Sequence, residues 1–477
     1  MAKELQTDVA IIGAGSAGLY ALREVRRAHQ DFVLIDCGPL GTTCARVGCM
    51  PSKVALHAGA QWAARKDFAA IGVSGMEQLR IDLRLTWEAL RRHRDRFTAS
   101  AADKARSTAG EKLLDGRARF LEPTLLEVAC PGGATLVRAR SVVIASGSRP
   151  VMPDWLEPVR SRTISTDALY ELDILPASIG ILGLGAIGLE MGLALARLGV
   201  RVVGADLAST VGGIIDPVIA ERAFERFGKE LPLWLGEKTS VEPHGNGVML
   251  RAGDREAKVE MLLAALGRRP NVDGLNLAAA GFALDEQGIP AFDPETMQIG
   301  DLPVFIAGDA NSDRPLMHEA ADEGSIAGYN AAHGISGTPV RFQRKVPLAI
   351  AFCDPDVASV GARLDTLDAD SIIIGNADGG DNGRAVILDG AESLLRLYAD
   401  ASTGQLLGGA MVAAGGEHLA HLLAWAIQRR ETAASLLQLP FYHPVLEEML
   451  QTALQEIVRQ SECKSPYPFG LTPVADA

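Results

Sequence analysis

Twice along this chain of 477 residues a short apolar strand runs into Gly-x-Gly-x-x-Gly and then into a helical pattern. The first copy is Val9 to Ile12, then Gly13-Ala14-Gly15-Ser16-Ala17-Gly18, then an alanine- and leucine-rich stretch to about Ala28. A second strand, Asp31 to Ile35, ends in Asp36, 23 positions after Gly13. The other copy is Ser178 to Leu182 and Gly183-Leu184-Gly185-Ala186-Ile187-Gly188, with Arg201 to Ala205 ending in Asp206, again 23 positions on. Each predicts a Rossmann unit: the first glycine closes a tight turn, and the second lets backbone approach a pyrophosphate. The third lets the helix pack on the strand, and the acid takes ribose hydroxyls. Two such units require an α/β fold and imply two dinucleotides, most simply a fixed flavin and an exchangeable nicotinamide. Leu207-Ala208-Ser209-Thr210, after Asp206, hold no arginine for a 2′-phosphate, which favours NAD over NADP.

The length predicts about three domains. A net charge of −13, from 46 Lys+Arg against 59 Asp+Glu, argues against nucleic acid or an anionic membrane as partner. Six cysteines are too few for a secreted disulfide scaffold and point to a reducing cytoplasm. No apolar run approaches a membrane span, and Asp8-Val9-Ala10-Ile11-Ile12 is unlike a signal peptide.

Just beyond the first unit, Gly41-Thr42-Thr43-Cys44-Ala45-Arg46-Val47-Gly48-Cys49-Met50-Pro51-Ser52-Lys53 sets two cysteines five positions apart. On a regular helix such residues lie about 7.5 Å apart along the axis, with Cα atoms about 8.6 Å apart. A disulfide tolerates roughly 7 Å. Pairing would need a deformed helix start, for which Gly48 gives room, and a distorted disulfide is readily reduced. Two buried, unpaired cysteines or half of a metal site fit the same spacing. Cys37, Cys130, Cys353 and Cys463 have no partners at metal spacing and read as structural thiols.

Further strands run into glycine turns at Ala145-Ser146-Gly147-Ser148-Arg149-Pro150, Ala265-Leu266-Gly267-Arg268-Arg269-Pro270-Asn271 and Val304-Phe305-Ile306-Ala307-Gly308-Asp309. Such turns let a backbone meet a ligand. The run Arg91-Arg92-His93-Arg94-Asp95-Arg96 lies on a predicted helix from about Leu83 to Thr108 and reads as a solvated face.

In this order, the segments resemble the flavoprotein pyridine-nucleotide disulfide oxidoreductases, which include dihydrolipoamide dehydrogenase, glutathione reductase and mercuric reductase. The likeness runs from about Thr7 to Glu456. It implies a glutathione-reductase-like fold of two Rossmann-like domains and a C-terminal α+β interface domain. The implied boundaries are 1–150 with 268–345 for FAD, 151–267 for NAD, and 346–477 for dimerisation. FAD would take the first fingerprint and NAD the second, with Asp309 on the ribityl chain and Lys53 paired with Glu190 near the flavin ring. The resemblance also puts Thr43, Ala118, Ser146, Gly147, Gly267, Gly308, Met317 and His318 among the cofactor-binding positions. Cys44 and Cys49 would form the redox disulfide. In Tyr442-His443-Pro444-Val445-Leu446-Glu447-Glu448, His443 would be the base and Glu448 its orienter, serving the other chain of a homodimer.

Pro51-Ser52-Lys53, Arg268-Arg269-Pro270-Asn271, Asp206 and Leu316-Met317-His318-Glu319-Ala320 lean toward the dihydrolipoamide dehydrogenase branch. That branch implies oxidation of a dihydrolipoyl group on a partner protein. The partner would be a 2-oxo acid dehydrogenase complex, a glycine cleavage protein or a free lipoate-binding protein. A reductase of another disulfide or a metal ion is the alternative. Thr42 stands where a second glycine is usual, Arg46 where asparagine is common, and Ala118 where glycine is frequent. Arg46 would lower a thiol pKa or meet an acidic partner. The tail after Ile457, with Pro466, Pro468 and Pro473, has no assignment.

Overall fold

A computed structural model describes residues 3–334, 337–461 and 467–474; Cys463 and Pro466 lie outside the described residues. The first sheet runs, in spatial order, Leu113–Asp115, Phe32–Asp36, Lys3–Ile12, Gly133–Ile144, Leu125–Cys130 and Arg117–Glu122. Val304–Ile306 adds to it by pairing with Gly133–Ile144. At its centre Lys3–Ile12 is parallel to both neighbours, in the registers Ile12↔Ile35 and Ile12↔Ile144. The run Val9-Ala10-Ile11-Ile12 is buried, because Val9 and Ile11 pack on helices while Ala10 and Ile12 pack on strand and loop residues such as Phe120, Leu126 and Phe282, which leaves no polar side for alternation.

Helices Ser16–Arg27 and Met317–His333 cross this sheet in close contact. A Cβ on Gly324 would lie 2.2 Å from the Ala17 carbonyl oxygen, and one on Gly328 would lie 2.4 Å from that of Ala21. Only glycine permits that approach.

The second sheet orders Leu233–Leu235, Arg201–Asp206, Ser178–Leu182, Met261–Ala264 and Thr163–Ser165, all parallel. A three-stranded antiparallel sheet, Thr239–Val259 in extent, packs against it. Between the first and second sheets the chain leaves through Ser148–Pro150 and returns through Arg268–Pro270, and these two strands pair antiparallel. A third, antiparallel sheet orders Leu348–Ala351, Asp356–Gly361, Leu406–Ala413, Leu394–Asp400 and Ile372–Asp378. Helices Gly416–Gln428 and Glu448–Gln460 bury their apolar stripes on it through Leu419, Leu423, Leu454 and Ile457.

The long helix spans Leu83–Ala109, started by an Asp82 side chain that accepts from the Leu85 amide at 3.0 Å. Its arginine run is not uniformly solvated. Arg94 is buried and bonds to Glu171 at 2.7 Å, while Arg91 meets Asp173 and Arg92 meets Glu88, each at 2.9 Å. Among the described residues no helix is long and apolar enough to cross a membrane.

Gly328→Val should force the two crossing helices apart, at a cost of about 3 kcal/mol or more. Thermal unfolding should show a clearly lowered midpoint; an unchanged midpoint would contradict the close crossing.

Candidate active site

The two glycine turns have the same geometry. Gly13 has φ +108° and Gly183 φ +88°. A Cβ on either would reach 2.2 or 2.4 Å from the carbonyl oxygen of Ala145 or Ala265. On Gly18 and Gly188 it would strike the carbonyl oxygens of Gly13 and Gly183, at 1.8 and 1.9 Å. On Gly15 and Gly185 it would meet nothing within 4 Å. The outer glycines are thus required by the protein's own packing, whereas the middle ones face open space that a pyrophosphate can enter. Each acid spans its turn: Asp36 accepts from the amides of Ala14 (2.6 Å) and Gly38 (2.7 Å). Asp206 does the same with Leu184 (2.5 Å) and Ala208 (2.9 Å).

The cysteines do not share a regular helix. Cys44 lies in the single turn Thr43–Arg46, and Cys49 begins the helix Cys49–Ala64. Gly48 separates them with φ −121° and ψ −120°, so the i, i+5 spacing of one helix does not apply. Thr42 has φ +55°, in the region that suits the family's glycine, and its hydroxyl accepts from the Ala45 amide at 3.1 Å. Both cysteines are free thiols and interact with each other. The neighbouring Cys44 thiol lowers the Cys49 thiol to about 7, with the Lys53 cation adding to the effect and burial opposing it. The Cys44 thiol is pushed up, first by its interaction with Cys49 and then by burial.

Lys53 follows Cys49 by one helical turn, and its Nζ lies 2.9 Å from both carboxylate oxygens of Glu190. Glu190 is buried on the helix Ala186–Leu198 and also accepts from the Phe352 amide at 3.0 Å. Arg46 is not among the largest influences on either thiol. Among the described residues its Nε is buried without a hydrogen-bond partner.

His443 and Glu448 come together at the head of the helix Glu448–Gln460. His443 Nδ1 lies 3.0 and 3.2 Å from the two carboxylate oxygens, and the Val445 amide donates to Glu448 at 3.1 Å. These bonds hold the Glu448 carboxyl below its usual range. With Nδ1 engaged, Nε2 is the nitrogen left for a substrate. The His443 side chain is 79% exposed. Among the described residues no hydrogen bond or ion pair joins it to Cys44 or Cys49.

Of the other cofactor positions, Gly147, Gly267 and Gly308 have φ of +69°, +91° and +70°. Among the described residues Ser146 Oγ is buried with no hydrogen-bond partner, an orphaned atom of the kind a ligand satisfies. Ala118 is buried in the strand Arg117–Glu122. Thr43 and Met317 are exposed at helix starts, and His318 is half-exposed beside Glu319. Asp309 accepts from Ser148 Oγ at 2.6 Å, and Ser148 in turn accepts from Arg268 Nε at 2.8 Å. In the sequence Ser148 and Arg268 stand out only as members of their turn segments, with no role for either, because only the antiparallel register brings them together. Of the remaining cysteines, Cys353 is buried and Cys130 half-buried; Cys37 is exposed, which corrects its reading as a structural thiol.

Two dinucleotides fit this frame. The resemblance assigns the first turn, Asp36, Ser146 and Asp309 to FAD and the second turn, Asp206 and Gly267 to NAD, and the open middle glycine of each turn leaves room for a pyrophosphate.

In the reduced protein, alkylation of Cys49 should titrate with an apparent pKa near 7, the thiolate accumulating as pH rises through that value. Lys53→Met should move the titration upward and Arg46→Asn should leave it in place. An equal shift in both variants would show that Lys53 is not the controlling cation.

The protein-family model for pyridine nucleotide-disulphide oxidoreductases matches residues 7–324, and that for the family's dimerisation domain matches residues 347–454. A dihydrolipoyl dehydrogenase of Vibrio cholerae is 29% identical over 466 residues, covering 95% of this chain and 96% of its own. One from Bacillus subtilis is 25% identical over 466 residues, 94% of this chain and 96% of its own. The fold is shared with LpdA of Mycobacterium tuberculosis, with a TM-score of 0.82 at 24% identity over 94% of this chain and 99% of that one. It is also shared with the HOCl-induced flavoprotein disulfide reductase RclA of Escherichia coli, with a TM-score of 0.79 at 21% identity over 94% and 99%. The dimerisation domain implies a homodimer. The protein belongs to the pyridine nucleotide-disulphide oxidoreductase family, enzymes whose cofactors are FAD and NAD.

Proposed function

We propose that the protein is a dihydrolipoyl dehydrogenase, oxidising protein-bound dihydrolipoyl groups to lipoyl and passing the electron pair reversibly to NAD⁺. The observation that carries this reading is the placement of Cys49 one helical turn before Lys53, which favours the thiolate there rather than at Cys44. Likeness over 95% of the chain to an enzyme named dihydrolipoyl dehydrogenase supports the substrate.

In the disulfide form of the pair, the lower-pKa thiol is the better leaving group. A substrate thiolate therefore attacks Cys44 Sγ. A substrate–Cys44 disulfide forms, the Cys44–Cys49 bond breaks, and Cys49 leaves as a thiolate beside Lys53. The second substrate thiol loses its proton and attacks the substrate sulfur of the mixed disulfide. The lipoyl ring closes, and Cys44 is released and takes up a proton. His443 receives the substrate's proton on Nε2, while Glu448 fixes the ring through Nδ1 and stabilises the imidazolium. Bound FAD supplies the two-electron relay from the Cys49 side to the nicotinamide.

An exposed His443 with no link to the cysteines of its own chain suits a shared site, in which it serves the cysteine pair of the partner subunit. The lipoyl group would come on a 2-oxo acid dehydrogenase complex, a glycine cleavage protein or a free lipoate-binding protein. We assign the reaction to the cytoplasm, whose reducing poise suits a thiol pair that cycles between states.

The purified protein should oxidise NADH with lipoamide far faster than with glutathione disulfide or Hg²⁺. A preference for either of the latter would replace this reading. His443→Ala should lose roughly 10²- to 10⁴-fold in dithiol oxidation, the contribution of a positioned base, while keeping bound flavin. Full activity in that variant would remove His443 from the mechanism.

Asp206 would repel a 2′-phosphate at a cost on the order of 1–4 kcal/mol. NADH should therefore exceed NADPH in kcat/KM by roughly fivefold or more, and equal efficiencies would refute the role given to Asp206.

A further inference from the structure

The chain crosses between its two nucleotide-binding sheets on one narrow ribbon, Ser148–Pro150 paired with Arg268–Pro270. One end of the ribbon follows Ser146 and Gly147, and the other begins next to Gly267. In its register Arg268 stands opposite Pro150, so its side chain shares a face with Ser148, two residues away. The Arg268 guanidinium is well covered, at 17% exposure, and uses all three nitrogens. Nε donates to Ser148 Oγ at 2.8 Å, Nη2 to the Ser148 carbonyl at 2.9 Å, and Nη1 to Asp167 at 2.9 Å.

Polarity along this chain of bonds is fixed. Arginine has only donors, and a serine hydroxyl has one proton. Ser148 must accept from Arg268 and spend its proton on Asp309 Oδ2, at 2.6 Å. Asp309 therefore acts as an acceptor at Oδ2, and among the described residues its Oδ1 has no hydrogen-bond partner. Asp309 is held half-buried immediately after Gly308, whose amide is anchored to Glu323 at 2.7 Å.

We infer that Arg268 is a positioning residue for the flavin, acting through the Ser148 hydroxyl to hold the Asp309 carboxylate for the ribityl chain. The inference rests on the reading of Asp309 as a flavin-binding acid. Arg268 lies at the edge of the second nucleotide unit, so its guanidinium ties that unit's point of return to the acid serving the first cofactor. Lysine cannot replace it: one ammonium cannot reproduce the planar fork that meets Ser148 twice and Asp167 at once.

The test measures the FAD dissociation constant and the visible circular dichroism of bound flavin in the full-length dimer. Five variants are compared: Asp309→Ala, Ser148→Ala, Arg268→Lys, the double variant Ser148→Ala/Arg268→Lys, and Arg149→Lys as a ribbon control. Arg149 lies on the same ribbon but on its opposite face, bonded to Asp273, Asn271 and the Pro270 carbonyl. Ser148→Ala and Arg268→Lys should each weaken FAD roughly tenfold, the scale of a bond involving a charged group. Both should alter the flavin's dichroism in the same sense, and the double variant should be no worse than the weaker-binding single. Arg149→Lys should stay within about twofold of the parent protein, which excludes a general loss of ribbon stability. Additive losses, or an Arg268→Lys protein that binds FAD as the parent does, would overturn the relay. If Asp309→Ala binds FAD normally, the reading of Asp309 fails and the inference fails with it. Loss in Asp309→Ala without loss in Arg268→Lys rejects the relay alone.

Discussion

A single buried carboxylate holds the working parts of this protein together. Glu190 belongs to the second nucleotide unit, yet both its oxygens meet Lys53 from the first, and one accepts the Phe352 amide at the entrance to the third sheet. Burying a charge is costly unless it is paired and hydrogen-bonded, and removing one partner leaves the penalty unpaid. The pair can form only because the helices Cys49–Ala64 and Ala186–Leu198 pack closely, with the Cβ position of Gly59 only 3.0 Å from the Ala194 carbonyl oxygen. Phe352 also presents its ring to the Lys53 ammonium at 4.5 Å. The cation that keeps Cys49 acidic is thus held by all three parts of the fold.

Thiol chemistry follows from that arrangement. Two identical side chains five positions apart receive opposite electrostatic settings, because they interact with each other and Lys53 shares the helix of Cys49 alone. The break at Gly48 permits this. A continuous helix would have carried the sulfurs around its axis and away from each other. Thr42 helps to hold the short turn by capping Ala45, a bond that glycine could not make.

The two dinucleotide turns reach the same backbone solution at different places in the chain. In each, the outer glycines are fixed by carbonyl oxygens of the protein itself, and only the middle one is left open toward a ligand. The carboxylate that ends the second strand is bonded back to the turn, so it stiffens the loop. The spacing of 23 residues in both copies reflects the path of one helix and one strand around that bond.

The α/β architecture was legible because its determinants are local. A glycine turn between an apolar strand and a helix is specified by a few neighbouring residues, and burial of parallel strands writes itself as unbroken apolar runs such as Val9 to Ile12. His443 and Glu448 were readable for a similar reason, since five residues of chain bring them into contact at a helix start. Lys53 and Glu190 were not local: 137 positions separate them, and family resemblance alone suggested what helix packing brings about. The break between the cysteines was legible only as the room that Gly48 gives; its backbone, at φ −121° and ψ −120°, decides between one helix and two. The burial of Arg94 among surface-like arginines and the chain of bonds from Arg268 through Ser148 to Asp309 were equally hidden. Pattern determines which elements form and which turns admit a ligand. Tertiary structure decides which distant polar groups share a proton, because that depends on strand register and helix packing accurate to a few tenths of an ångström.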